Sequence, residues 1–150
     1  MLRISKLTDY GIVLLAHFAR HAPGSTCNAR ELSEATGLPF PAVGKVLKTL
    51  AQAGLLVSHR GAKGGYTLAR PPGAISVVEI IEALEGPIAL MACSAGPGHC
   101  GQESTCSVRD PWQTIHGAIR GALAGVTLGG LARGSTIPVA EPATQRGQHV

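Results

Sequence analysis

The sequence predicts a mainly α-helical chain with one small β-hairpin, and three observations carry that expectation. Apolar residues recur at helical spacing in several separate stretches. A glycine-rich basic segment, residues 59–65, sits between two short apolar runs. Two sites place a polar cap three residues before a glutamate, the local pattern that starts a helix.

The first helix is expected over about residues 8–21, where Ile12, Val13, Leu15, Ala16 and Ala19 share one face. Thr8 is the expected cap, and Asp9 suits the positive end of the helix dipole. Pro23-Gly24-Ser25 ends it. Asn28, with Glu31 three residues on, opens a second helix to about Ala35, and Thr36-Gly37-Leu38-Pro39 reads as a tight turn. Val43, Val46, Leu47 and Leu50 repeat at i, i+3, i+4 and i+7, so a third helix is expected over about 40–53, with Gly54 terminating it.

Leu55-Leu56-Val57 and Tyr66-Thr67-Leu68 are strand candidates on either side of the glycine-rich tip. Ser76 and Glu79 form a second capping pattern. The helix that follows turns Val77, Ile80, Ile81 and Leu84 inward and closes at Gly86-Pro87. Residues 88–109 lack periodicity. Asp110-Pro111 opens a last helix with Trp112, Ile115, Ile119 and Leu123 on one face, and Gly117, Gly121 and Gly125 every four residues.

This order of elements is that of a winged helix-turn-helix plus a long C-terminal dimerisation helix. The expected division is a DNA-binding domain over 1–86, a cysteine-rich loop over 87–109, the dimerisation helix over 110–131 and a disordered tail over 132–150. Too little chain follows the last helix to cover its apolar stripe, so Trp112, Ile115, Ile119 and Leu123 are expected to pair two copies.

Charge points to the partner. The whole chain carries only +4, but no acid occurs between Glu34 and Glu79, where Lys45, Lys48, Arg60, Lys63 and Arg70 lie. Such a cluster is the electrostatic footprint of contact with phosphates. In a helix-turn-helix the second helix enters the major groove by its N-terminal residues. Pro41, Ala42 and Lys45 would therefore face the groove, with Lys48 meeting a phosphate or a base edge. Arg60, Gly61 and Lys63 would bring the hairpin tip onto the DNA backbone or into a minor groove. Few of these side chains read bases by paired hydrogen bonds, so shape readout and the wing are expected to contribute to specificity.

Several function classes are excluded. The chain shows no paired carboxylates in a site, no nucleophile motif and no metal-activating His-Glu pattern, so no enzyme is expected. The glycine-rich tip lacks the spacing and the Lys-Ser/Thr ending of a phosphate-binding loop. No run approaches the roughly 18 to 20 apolar residues of a membrane span, and the N-terminus does not read as a secretory signal. A cytoplasmic protein with reduced thiols is expected.

Cys93, Cys100 and Cys106, separated by six and five residues, place three thiols in a loop relaxed by Gly96, Gly98 and Gly101. The spacing lacks the paired knuckles usual for zinc. It is open to a metal or iron–sulfur centre, to redox thiols, or to cysteines that are simply buried. Cys27, alone before the second helix, reads as structural.

Met1-Leu-Arg-Ile-Ser-Lys-Leu-Thr-Asp-Tyr10, Leu55-Leu-Val-Ser-His-Arg-Gly-Ala-Lys-Gly-Gly-Tyr66, Ile75-Ser-Val-Val-Glu-Ile-Ile81 and the three-cysteine loop before a final helix together resemble the Rrf2 family of bacterial iron–sulfur-sensing repressors. The resemblance covers roughly residues 1–131, and the wording of the N-terminus and wing is most similar to the subgroup controlling Suf cluster assembly. It implies a homodimer reading a palindromic double-stranded DNA operator, with a two-iron or four-iron cluster as cofactor. Cys93, Cys100 and Cys106 would be ligands. Some members use a histidine three residues after the last cysteine, where this chain has Arg109. Others take an aspartate from the partner's first helix, and Asp9 occupies the matching position, with His99 as competitor. The function so implied is repression of cluster-assembly genes; the alternative is a zinc- or thiol-redox-dependent winged-helix regulator without a cluster.

Overall fold

A computed structural model describes residues 3–134. The chain forms α1 (Lys6–Arg20), α2 (Ala29–Thr36), α3 (Phe40–Gln52), β1 (Leu56–His59), β2 (Gly65–Leu68), α4 (Val77–Glu85), α5 (Arg109–Ala124) and α6 (Leu128–Ala132), with short 3₁₀ turns at Pro72–Ala74 and Ala92–Ser94. The mainly helical fold with a single hairpin is as the sequence predicts. No helix among the described residues is long and apolar enough to cross a membrane. The expected disordered tail falls, from residue 135 on, outside the described residues.

Both capping patterns form. Asn28 Oδ1 accepts from the Glu31 N–H while Glu31 accepts from the Asn28 N–H, and Ser76 and Glu79 do the same at α4. Each box satisfies two backbone donors that a bare helix start leaves open. Strands β1 and β2 pair antiparallel from Leu56 opposite Leu68 to His59 opposite Gly65. Each arm of the hairpin is thus one residue longer than expected, and both extend toward the tip.

Helix α1 begins earlier than expected, and Thr8 is not its cap. Ser5 takes that place, its hydroxyl accepting from the Thr8 N–H. Thr8 lies inside the first turn, wholly buried, and its hydroxyl donates to Glu85 Oε1 at 2.7 Å; the Ser5 N–H donates to the same oxygen at 2.6 Å. A buried hydroxyl needs such a partner, and this one lies at the far end of α4. The hydrogen bonds from the Thr8 hydroxyl and then from Ser5 hold the Glu85 carboxyl below the usual range. A depressed folded pKa stabilises the fold above the unfolded value, about 4.3, and that contribution is lost as pH falls through the folded value. Urea unfolding of wild type and Glu85→Gln should therefore differ at pH 7 and converge in acid. A constant difference would mean that the carboxylate charge does not matter at this junction.

The core is aliphatic apart from Phe18: Leu14 and Leu15 on α1, Leu32 on α2, Val43, Val46, Leu47 and Leu50 on α3, Ile75, Ile80 on α4 and Leu128 on α6. Gly11 lets α1 and α4 approach, since a Cβ there would collide with the Leu84 side chain.

The helix expected over 110–131 is two helices. After Gly125 the helix stops and Thr127 turns extended, bridging to Ser76; the Val77 N–H donates to the Val126 carbonyl at 2.9 Å and the Leu128 N–H to the Ile75 carbonyl at 2.8 Å. Thr127 then caps α6 by accepting from the Gly130 N–H. This reversal drives Leu128, fully buried, into the core of the N-terminal head, and Arg20 secures α6 by donating to the Ala132 carbonyl at 3.2 Å. The core thereby runs past residue 86, where the DNA-binding domain was expected to end.

Candidate nucleic-acid interface and thiol loop

Helices α2 and α3 are joined by a turn that the sequence builds locally. Gly37 adopts φ +72°, the left-handed conformation that ends α2, and the Ser33 hydroxyl donates to the Leu38 carbonyl at 2.7 Å. Helix α3 buries Val43, Val46, Leu47 and Leu50, so helical periodicity leaves Pro41, Lys45 and Lys48 exposed and Ala42 half-buried. Space beside Gly44 is open. Pro39 caps α3 without a side-chain hydrogen bond, and no acid of its own first turn opposes an anion at this end of the helix.

The hairpin presents Arg60, Gly61 and Lys63 to solvent. Its tip requires glycine for two different reasons. Gly61 has φ +108°, and a Cβ on Gly64 would lie 2.7 Å from the His59 carbonyl oxygen. Cys27 and Tyr66 exchange backbone hydrogen bonds of 3.0 and 2.8 Å, which stitches β2 to the start of α2. Burial, then Glu31, pushes the Cys27 thiol pKa up. A thiol so disfavoured as thiolate suits the structural part expected of it.

Lys45, Lys48, Arg60 and Lys63 make no ion pair among the described residues. Arg70, the fifth cation of the acid-free stretch, is different. It donates to Glu79 at 2.6 Å and to the Ala74 carbonyl at 2.9 Å, bracing the base of the wing against α4. Sequence reading also passed over Phe40, exposed at the first position of α3, and Arg30 beside it on α2. The available signal was an aromatic residue at a helix start in a chain with only two phenylalanines.

In the loop, Cys93, Cys100 and Cys106 are free and half-buried. Glu103 organises the turn between them, accepting from the Gly98 N–H at 2.8 Å and from Arg109 at 2.9 Å. Gln113 on α5 donates to the Cys93 carbonyl at 3.0 Å. His99 is exposed, and Asp9 lies on α1 in an open groove with Arg3, Ile4 and Ile12. Among the described residues, no three His, Cys, Asp or Glu side chains stand close enough together to hold a metal ion. The candidate ligands are therefore not assembled within this one chain. Their chemistry nonetheless fits a thiolate-held group. Moreover, the two buried side-chain atoms that lack a hydrogen-bond partner among the described residues, Ser94 Oγ and His116 Nδ1, both belong to this region. Ser94 adjoins Cys93, and His116 lies one turn beyond Gln113.

No residue of α5 is fully buried; Trp112 and Ile115 are exposed and Ile119 and Leu123 half-buried. Arg120 ties α5 to Glu82 of α4 at 3.1 Å. At 100° per residue, Gly117, Gly121 and Gly125 fall on the face opposite the apolar stripe, so the glycine row does not thin the stripe itself.

Residues 4–134 match the Rrf2 family, described as iron-dependent transcriptional regulators. A sequence relative named HTH-type transcriptional regulator CymR, of Bacillus subtilis (strain 168), is 31% identical over 132 residues, 87% of this chain and 90% of the relative. Among solved structures, CymR, the global cysteine regulator of B. subtilis, aligns with TM-score 0.72 at 29% identity, over 91% of this chain and 100% of that one. IscR of T. potens aligns with TM-score 0.67 at 28% identity, over 89% and 88%.

Proposed function

Because the chain belongs to the Rrf2 family of transcriptional regulators, we propose that it acts as a homodimeric repressor of iron–sulfur assembly genes, of the Suf type, gated by a cluster on the cysteine loop. The observation that carries the DNA-reading half is the set of four unpaired cations on the outer face of α3 and the wing tip. A footprint on the protein's own upstream region, with anaerobically prepared and with cluster-stripped protein, tests both halves at once.

Cys93, Cys100 and Cys106 would hold the cluster, with Asp9 of the partner subunit completing it. When bound, the cluster supplies a centre whose loss reports iron, oxidants or nitric oxide. This chain's own contribution is to carry Asp9 on the helix that also supplies Leu14 and Leu15 to the head's core, so that a change at the loop can be felt by the reading pair. Alanine at any of the three loop cysteines is expected to abolish visible absorption, and Cys27→Ala to leave it. Asp9→Ala should fold and dimerise normally but hold a short-lived cluster. An unchanged spectrum and lifetime would turn attention to His99. As a first-turn acid alone, Asp9 would contribute only about 0.3–1 kcal/mol to its helix.

Dimerisation rests on the stripe of α5. Ile119→Glu is expected to yield monomers by sedimentation that bind DNA poorly. Wild-type protein sedimenting as a monomer at micromolar concentration would contradict this.

One observation favours a second reading. The structural similarity to CymR, the global cysteine regulator of B. subtilis, supports a thiol- or zinc-dependent regulator of sulfur supply. A colourless protein with stoichiometric zinc, or one whose DNA binding follows thiol oxidation, would favour it.

A further inference from the structure

Of the chain's two phenylalanines, Phe18 is buried in the core and Phe40 is 52% exposed. Phe40 is the first residue of α3, the point at which a reading helix enters the major groove. About half of the ring stays in water, forgoing roughly 1 kcal/mol of burial that a covering surface would recover. The guanidinium of Arg30 lies over this ring, Cζ 5.9 Å from the centroid. Arg30 is the second residue of α2, where a cation opposes the helix dipole, so helix stability does not account for it. It makes no ion pair among the described residues, although Glu34 stands one turn on.

We propose that Arg30 and Phe40 form a reading pair on the DNA-facing surface: Phe40 packs on the C5-methyl of a thymine, and Arg30, steadied by the ring, meets the adjoining phosphate. This rests on the reading of α2 and α3 as a DNA-binding head and extends it to base identity. The chemistry follows from the groups present. A thymine methyl is the one apolar group on the major-groove edges, and an apolar side chain is what recognises it. The first helix of a helix-turn-helix crosses the backbone, which places an arginine on α2 near phosphate. Stacking on an aromatic face leaves the guanidinium's N–H donors free for that phosphate. It also supplies a base-reading element to a surface whose lysines alone discriminate little.

The test uses the full chain and duplexes selected by it from a random library. Each thymine of a half-site is replaced in turn by deoxyuridine, which removes only the methyl. At one position per half-site wild type should lose about fourfold in affinity, the worth of one buried methyl group. Phe40→Ala should bind the thymine and deoxyuridine duplexes equally, Phe40→Leu should keep part of the preference, and Lys45→Ala should keep all of it. Arg30→Ala should weaken every duplex alike and lower the salt slope by about one per subunit. A methyl preference that survives in Phe40→Ala, or none in wild type, overturns the pair while leaving the head intact. Failure to select any duplex overturns the head itself, and the pair with it. Because Phe40 and Arg30 are exposed, unchanged thermal melting of the variants is expected and separates these outcomes from misfolding.

Discussion

Replacing Arg60 and Lys63 together by alanine is expected to weaken operator binding about a hundredfold near physiological salt. In the proposed dimer each occurs twice, so the double variant would remove four cations from the two wing tips. Each phosphate contact contributes about 0.9 to the slope of log affinity against log salt, so the slope should fall by about 3 to 4. Both residues are exposed on a tip shaped by Gly61 and Gly64, and neither makes an ion pair among the described residues. The fold should be unaffected, because nothing in the core rests on them. Titrations at several salt concentrations decide the matter: parallel lines for wild type and variant would remove the wing from the contact surface. Arg70→Ala provides a contrast. Its guanidinium is engaged by Glu79, so its loss should act on wing stability rather than add a comparable change of slope.

The second large effect is on stability. Leu47 is 0% exposed on the inner face of α3, directly before Lys48. Leu47→Ala should cost about 2–5 kcal/mol, the lost burial plus the cavity left behind. Against a total of about 5–15 kcal/mol for a domain, that threatens the reading helix's seat altogether. Lys48→Ala, one residue away and exposed, should change stability by no more than about 0.5 kcal/mol. Urea unfolding of the two variants side by side tests whether α3 is divided, residue by residue, into a seated face and a reading face. Equal stabilities would contradict the burial pattern.

What could be read from the sequence was whatever is decided within a few residues. The capping boxes at Asn28 and Ser76 placed α2 and α4 because both partners lie within one turn. The periodicity of α3 separated Val43, Val46, Leu47 and Leu50 from Lys45 and Lys48 for the same reason. Thr8 was misread as a cap because its partner, Glu85, lies on another helix. Arg70 stands among the contact charges in the sequence because its partner Glu79 lies beyond the turn at Pro72–Ala74, on α4. The break before α6 was missed because Thr127 is drawn into an extended bridge with Ser76, which no helical pattern reveals. Phe40 lies at the edge of the stripe formed by Val43, Val46, Leu47 and Leu50, where helical periodicity assigns it to neither face. In the loop, the identity and spacing of the three cysteines were legible, but their arrangement depends on a long irregular segment without periodic constraint.

The seating of Leu128 has a bearing on how the chain is made. On the ribosome, the helices and hairpin of the reading head emerge first. Yet the side chain that fills the space beside Ile75 arrives only after the cysteine loop and α5 have been synthesised. A nascent chain halted at residue 86 holds the reading helices and the wing but still lacks Leu128, a fully buried member of their core. The core is therefore complete only once the loop has been made, so its last buried side chain joins after the thiols.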